Sequence, residues 1–217
     1  QSLDLEYYES YYSSSYSFHK YTDNSFPPNV NDSDILTVTY YDNYNIISDI
    51  YGFIGFEFNS VENISDYEDN DGNENGFFDN VKGQITGTII KVLDGSTSNR
   101  VYTAFYYDDR YNEIQKISSI YPTGKSTISN RVDFTGNVEQ SNENQNGEGF
   151  GQKVMTRFTY DHAYRLRDIY HYYSTCDPVL ISRMNYNSLG QLSKKRLHST
   201  NGLSFLQTID HKYNMLG

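Results

Sequence analysis

Runs of alternating aliphatic, aromatic and polar residues follow one another along the chain, with turn residues between them. A period of two places alternate side chains on opposite faces of a β-strand. A helical period of 3.6 residues is nearly absent. The pattern therefore predicts an all-β protein, built as an antiparallel meander of β-hairpins.

One frame recurs in the second half of the chain: Tyr, then Asp or Asn, two variable residues, Gly or Tyr, a polar residue and an aliphatic one. A nearly constant period marks stacked supersecondary units. The steps between copies are 25, 28, 26 and 27 residues. The first positions of the frame are Tyr107, Val132 as a substitute, Tyr160, Tyr186 and Tyr213.

The second position of the frame predicts a tight turn. A short polar side chain there can accept the backbone N–H two residues on and close an Asx turn, and a later glycine tolerates positive φ. The Asx residues are Asp108, Asp133, Asp161, Asn187 and Asn214, and the glycines are Gly136, Gly190 and Gly217. Tyr111 and Tyr164 replace glycine in two copies, so we expect those turns to differ in type. At the opposite hairpin ends, Asn201-Gly202 predicts a tight two-residue turn.

The tyrosine that opens the frame has two interpretations. Its ring can cover the sheet while the hydroxyl reaches water or a neighbouring carbonyl, which is a structural role. Alternatively, exposed tyrosines form a row of aromatic platforms for sugar rings or a protein partner.

At these residues the chain resembles the YD-repeat proteins, also called the RHS family, whose core frame is Tyr-Asp-x-x-Gly-Arg-Leu. It is most similar to the branch found in Bacteroidetes-type bacteria, over about residues 37–217. The segments that carry the resemblance, in order, are "TYYDNYNI" at 39, "VKGQITGT" at 81, "FTYDHAYRL" at 158 and "LGQLSKKRLHS" at 189.

The resemblance implies a section of a curved or spiral RHS-type β-shell in a large secreted or cell-surface protein. Such a shell encloses or displays another region of the same polypeptide, in some members a toxin, and related shells serve in adhesion. The implied partners are the rest of the polypeptide or an enclosed effector, with secretion machinery or cell-surface proteins. The chain shows no match to the self-cleaving core of the family or to a toxin domain, so no catalytic residue is carried over.

Three regions are predicted. Residues 1–36 form an irregular lead-in rich in Tyr, Ser and Asp, either loosely ordered or packed by tyrosines. Residues 37–100 form a divergent β region, and residues 101–217 hold the repeated hairpins. Tyr41 and Asp42 begin a further copy that lies 66 residues before Tyr107, a step that requires an insertion. The acidic stretch 65–80 is the predicted insertion.

This stretch also matches the first half of a calcium-binding loop. The pattern places candidate ligands at Asp71, Asn73, Asn75 and Asp79, but Lys82 stands where a bidentate glutamate belongs. We interpret the stretch as a solvated acidic loop, with a calcium site as the alternative and no other cofactor expected.

Composition narrows the remaining functions. The formal net charge of −11 argues against nucleic-acid binding, because phosphate neutralisation supplies most of that affinity. Cys176 is the only cysteine, and no apolar run is long enough to span a bilayer. The five histidines lack the spacing of a zinc site, and Asp108 and Asp109 point to opposite strand faces. We therefore do not expect the protein to be an enzyme. The alternative, a hydrolase, would need carboxylates from several repeats to meet in one pocket.

Overall fold

A computed structural model describes most of the chain. The described residues are 9–12, 17–22, 30–68, 75–173 and 176–214. They form eleven β-strands, one five-residue α-helix and one short 3-10 helix, and the strands pair antiparallel in chain order. The predicted all-β meander of hairpins is therefore confirmed.

The chain divides into two compact units. Unit 1 consists of Gln1–Glu62 with Tyr67–Ser126, and unit 2 of Asn63–Asp66 with Thr127–Gly217. The division falls inside a strand, after Ser126, so the first repeated hairpin belongs to unit 1.

Unit 1 contains a four-stranded antiparallel sheet in which each strand pairs with its neighbour along the chain. Its strands are rich in β-branched and aromatic residues, which fit a pleated surface. The strands are β1 (Thr37–Tyr41), β2 (Ile85–Lys91), β3 (Arg100–Tyr107) and β4 (Glu113–Ser119). Helix α1 (Asn45–Asp49) and a 3-10 helix (Tyr51–Phe53) lie in the long connection between β1 and β2.

One face of this sheet carries the core of unit 1. Tyr40, Ile89 and Tyr106 are each 1% exposed on that face. The connection between β1 and β2 covers them with aliphatic and aromatic side chains, which are Ile46, Ile47, Ile50, Phe53 and Phe56. The insertion thus supplies the second layer that a sheet face needs for burial.

Gly87 lies where this layer approaches the sheet most closely. A Cβ atom on Gly87 would lie 2.2 Å from Ile46 Cδ1 and 3.2 Å from the nearest Phe53 ring atom. A side chain at this position would displace Ile46, so glycine lets the insertion pack closely on β2.

The described part of the lead-in packs on unit 1 through tyrosines. Tyr11 and Tyr21 form an isolated bridge, and the Tyr21 ring stacks on Tyr40 with centroids 5.3 Å apart. The Tyr40 hydroxyl donates to the His19 carbonyl at 3.0 Å. Of the two alternatives for residues 1–36, the described residues therefore show the layer packed by tyrosines.

Unit 2 contains the remaining seven strands, apart from the first two residues of β5. They are β5 (Lys125–Val132), β6 (Val138–Gly147), β7 (Phe150–Tyr160), β8 (Leu166–Tyr173), β9 (Val179–Tyr186), β10 (Leu192–Ser199) and β11 (Gln207–Asp210). Among the described residues of this unit, Leu180 is the only apolar side chain that is fully buried. Fully buried polar side chains are more numerous there, and they include Asp168, Ser182 and Ser199.

The predicted two-residue turn at Asn201-Gly202 is wrong. Strand β10 ends at Ser199 and β11 begins at Gln207, so seven residues connect them. The Asn201 side chain accepts the backbone N–H groups of Leu203 and Ser204, both at 2.9 Å, and this stabilises a wider loop.

Candidate binding face and the repeated turns

Four of the predicted Asx residues close turns with the same hydrogen bonds. In each, the side-chain Oδ1 accepts the backbone N–H groups two and four residues on, at 2.7 to 3.0 Å. The Asx backbone N–H donates to the carbonyl four residues on. These residues are Asp108, Asp133, Asp161 and Asn187. One side chain thus fixes the register at each of these hairpin ends.

The two turns with tyrosine in place of glycine do not differ in type, contrary to our expectation. Tyr111 and Tyr164 have φ of 62° and 57°, and Gly136 and Gly190 have 90° and 82°. All four donate their backbone N–H to the Asx carbonyl three residues before. Left-handed backbone costs a non-glycine residue about 1–2 kcal/mol. The hydrogen bonds to the Asx residue hold both tyrosines in that conformation.

The tyrosine of the frame makes an equivalent bond in four copies. Its hydroxyl donates to the carbonyl of the first residue of the preceding strand, which we call the inter-turn tyrosine bond. The pairs are Tyr107 to Ile85 at 2.7 Å, Tyr160 to Val138 at 2.7 Å, Tyr186 to Leu166 at 2.7 Å and Tyr213 to Leu192 at 2.9 Å. In the last three, that residue directly follows the previous Asx turn, so the bond connects one turn to the next.

These contacts favour the structural interpretation of the repeat tyrosines. Tyr107 is 8% exposed, Tyr160 and Tyr186 are half-buried, and Tyr213 is 44% exposed. Val132 has no hydroxyl and makes no such bond. Gly217 lies outside the described residues, so the fifth turn, at Asn214, is not described in full.

Asp42 closes a divergent copy of the same turn. Its backbone N–H donates to the Gln84 carbonyl at 3.2 Å, and its Oδ1 accepts the Gly83 N–H at 2.6 Å. Gly83 has φ of 84°, like the glycines of the regular turns. Residues 43–82 therefore form an insertion within one hairpin turn, larger than the predicted 65–80. Its 40 residues account for the excess in the 66-residue step.

The calcium-loop alternative finds no support among the described residues. Asp71 and Asn73 lie outside them. Asn75 donates its amide N–H to Asp79 Oδ1 at 3.0 Å, and its own oxygen accepts the Phe77 N–H at 3.1 Å. The described part of the chain has no group of three or more His, Cys, Asp or Glu residues arranged to hold a metal ion.

Asp108 and Asp109, the acidic pair considered for hydrolysis, lie in the turn between β3 and β4 and not on a strand as expected. Both Asp108 oxygens accept hydrogen bonds within its own turn, the second from the Asn112 amide at 2.8 Å. Cys176 is exposed. Over the described ranges, no helix is long and apolar enough to cross a membrane.

The net charge of −11 is unevenly distributed along the chain. Residues 1–126 contain 7 basic and 20 acidic side chains, whereas residues 127–217 contain 10 basic and 8 acidic ones. The part of the sequence that forms most of unit 2 is therefore slightly positive, and several of its arginines lie on one face of the sheet.

Strand register defines this face. Directly paired residues point to the same side of a sheet. One row runs across five strands through consecutive pairs, and its members are Thr159, Asp168, Arg183, Arg196 and Thr208. Arg157 lies on the same side because it precedes Thr159 by two residues on β7. We call Arg157, Arg183 and Arg196, with Asp168 between them, the arginine face.

Asp168 orients the central arginine. Its side chain is 1% exposed and accepts Arg183 Nε at 2.7 Å and Arg167 Nε at 3.0 Å. Thr159 also donates to it at 3.3 Å. The hydrogen bond that Arg183 donates to Asp168 raises the pKa of Arg183. The pair therefore fixes Arg183 in its charged form on the sheet.

The β10–β11 loop packs on the same arginines. Arg183 Nη1 donates to the Gly202 carbonyl at 3.3 Å. The Phe205 ring lies 5.9 Å from Arg183 Cζ and 5.5 Å from Arg196 Cζ, within the range of a cation–π contact.

A cavity of about 340 Å³ adjoins Arg157. It lies near the Asx turns that begin at Asp133 and Asp161, and both side chains line it. Arg131 also lines it and faces Glu139, with Nε 3.5 Å from the carboxylate. Its lining residues are Arg131, Asp133, Glu139, Arg157, Phe158, Thr159, Tyr160, Asp161 and Tyr164.

The sequence reasoning missed the arginine face. Counting charge separately for the two halves would have revealed the basic surplus of residues 127–217. The convergence of Arg157, Arg183 and Arg196 required the strand register, because each arginine lies on a different strand.

No protein-family model matches the chain, and no curated protein matches it.

Proposed function

We propose that this chain is a structural segment of a large secreted or cell-surface protein of the YD-repeat type. In this role the sheet encloses or displays another region of the same polypeptide. Two observations support the proposal. The frame resembles that of the YD-repeat proteins, and its Asx and tyrosine side chains form the same hydrogen bonds at successive hairpin ends in the described residues.

The inter-turn tyrosine bond is the observation that carries the proposal. It connects successive hairpin ends with the same geometry and uses a tyrosine that four of the five copies share. A residue type repeated for chemistry would converge on one pocket. Tyr160, Tyr186 and Tyr213 instead each bind a different carbonyl, one per hairpin.

The exposed edge of the last strand agrees with a role in a longer sheet. All four residues of β11 are exposed, and among the described residues β11 pairs only with β10. Unpaired strand edges accept further strands readily.

Cross-linking of the parent polypeptide, purified from its own cells, tests the proposal. We expect a lysine-reactive cross-linker and mass spectrometry to connect Lys194 or Lys195 to residues of another region of that polypeptide. If every cross-link from these lysines stays within the sequence described, the sheet neither encloses nor displays another region and the proposal is wrong.

A further inference from the structure

We propose that the arginine face of unit 2 binds an extended acidic segment of a polypeptide. This inference goes beyond the scaffold role, because it rests on the contacts of unit 2 alone and applies whether or not the sheet belongs to a shell.

The first argument compares equivalent positions of the repeat. Gln115 and Asp168 both lie seven residues after the Asx residue of their turns, and both are almost fully buried. In unit 1, Gln115 Oε1 accepts the Asn59 N–H at 2.7 Å, and its Nε2 donates to the Asn59 carbonyl at 3.0 Å. This face of the repeat therefore already binds the backbone of a covering segment in unit 1.

The second argument concerns what the same position holds in unit 2. Asp168 replaces the backbone-binding glutamine and orients Arg183, whose side chain is 28% exposed. A face that buries aromatic and aliphatic side chains in unit 1 thus presents guanidinium groups in unit 2. A segment that binds this face in unit 2 should therefore carry carboxylates, whereas the insertion that covers the face in unit 1 carries apolar side chains such as Ile46 and Phe53.

The third argument is the lack of internal neutralisation. Among the described residues, neither Arg157 nor Arg196 forms an ion pair. Arg157 is exposed, and Arg196 contacts the Phe205 ring. Guanidinium groups form their strongest hydrogen bonds with carboxylates, often through two parallel bonds. The two arginines thus remain available for an external carboxylate.

Spacing favours an extended peptide across the strands. Arg157 is on β7 and Arg196 on β10, three strand spacings or about 14 Å apart across the sheet. Arg157 also lies about 7 Å further along its strand, two residues from the row that contains Arg196. Alternate residues of an extended chain point the same way and lie about 7 Å apart. An extended peptide with carboxylates on alternate residues therefore presents, on one of its sides, carboxylates that can reach both Arg157 and Arg196. A nucleic acid fits less well, because the three arginines of this face would neutralise only a few of its closely spaced phosphates.

Fluorescence anisotropy with a labelled twelve-residue peptide of alternating glutamate and serine tests the proposal. The full chain should bind this peptide, and Arg157→Gln with Arg196→Gln should weaken binding about tenfold or more, as expected for two charge-assisted contacts. The matched control is Lys82→Gln with Lys195→Gln, which changes net charge equally. Lys82 is exposed in unit 1, and Lys195 lies on the other face of β10. Circular dichroism checks that all variants fold.

Several outcomes would overturn the proposal. The control pair could weaken binding as much as the arginine pair, which would show general charge attraction. An alternating lysine–serine peptide could bind equally well, or a thymidine dodecamer could bind more tightly than the acidic peptide. A concentration-dependent dimer in sedimentation velocity that displaces the peptide would assign the face to a second copy of the chain.

Discussion

The two units build their sheets from the same strands and turns but treat one face of the sheet differently. In unit 1 the insertion between β1 and β2 covers that face, and Phe53 of this insertion is 0% exposed. In unit 2 the equivalent face carries Asp168, Arg183 and Arg196, and among the described residues its cover consists of the Gly202 and Phe205 contacts of the β10–β11 loop. The hairpin frame therefore specifies strand pairing and leaves the chemistry of the face to the residues between frames.

Hydrogen bonding compensates in part for the missing core of unit 2. The turns at Asp133, Asp161 and Asn187 and the tyrosine bonds between them fix each hairpin at its end. Such bonds each contribute about 1 kcal/mol, less than a buried aromatic side chain. We therefore expect unit 1 to depend on apolar burial and unit 2 on its polar contacts.

We expect the largest effect when one aromatic ring is removed from each unit, because this compares how much each unit depends on apolar burial. Phe53→Ala should lower the free energy of unfolding by about 4 kcal/mol, because it leaves a cavity in a closed core. Phe158→Ala, the control in unit 2, removes a half-buried ring and should cost about half as much or less. Urea unfolding followed by circular dichroism measures both. Equal losses would mean that unit 2 buries its aromatic side chains as effectively as unit 1.

Alkaline pH should affect unit 1 before unit 2. Burial raises the pKa of Tyr107 and of Tyr21 to about 12, and it also raises the pKa of Tyr40. A raised pKa means that the neutral form stabilises the fold. This stability is complete below pH 10, the unfolded value, and is lost as the pH rises through 12.

Absorbance at 295 nm, which reports ionised tyrosine, measures this loss together with near-ultraviolet circular dichroism. We expect a group of tyrosines to ionise only as the tertiary signal disappears. Ionisation of all 23 tyrosines near pH 10 with the signal retained would contradict the burial of the unit 1 tyrosines.

The smallest expected effect comes from single hydroxyl groups. Tyr107→Phe should cost about 1 kcal/mol, because it removes the hydrogen bond to the Ile85 carbonyl at a tyrosine that is only 8% exposed. Tyr213→Phe removes the equivalent bond at an exposed position, where water can replace it, and should cost a few tenths of a kcal/mol. Thermal unfolding of both variants and of the parent chain measures the two values. A larger loss for Tyr213→Phe would reverse the proposed ranking.

The sequence predicted the hairpin meander well, because strand alternation and Asx turns are local signals. The turns at Asp108, Asp133, Asp161 and Asn187 needed only residues within five positions of one another. The common type of the Tyr111 and Tyr164 turns was missed, since residue preference at that position was given more weight than the hydrogen bonds around it.

Contacts between distant residues were not predictable in the same way. Gln115 meets Asn59 across 56 positions, and Asp42 meets Gly83 across 41. Neither pair has a sequence spacing that suggests contact. The arginine face depends on the register of β7 to β10, which the alternation pattern does not reveal.

The closure at Asp42 also has a consequence for chain entropy and for protein engineering. Lengthening a flexible turn from three residues to about forty costs only about 2 kcal/mol of closure entropy, since that cost grows with the logarithm of length. A segment that folds against the sheet, as the one carrying Phe53 does, recovers more than that. The equivalent turn ends of other hairpins, such as the one at Asn187, are therefore rational places to graft a foreign domain.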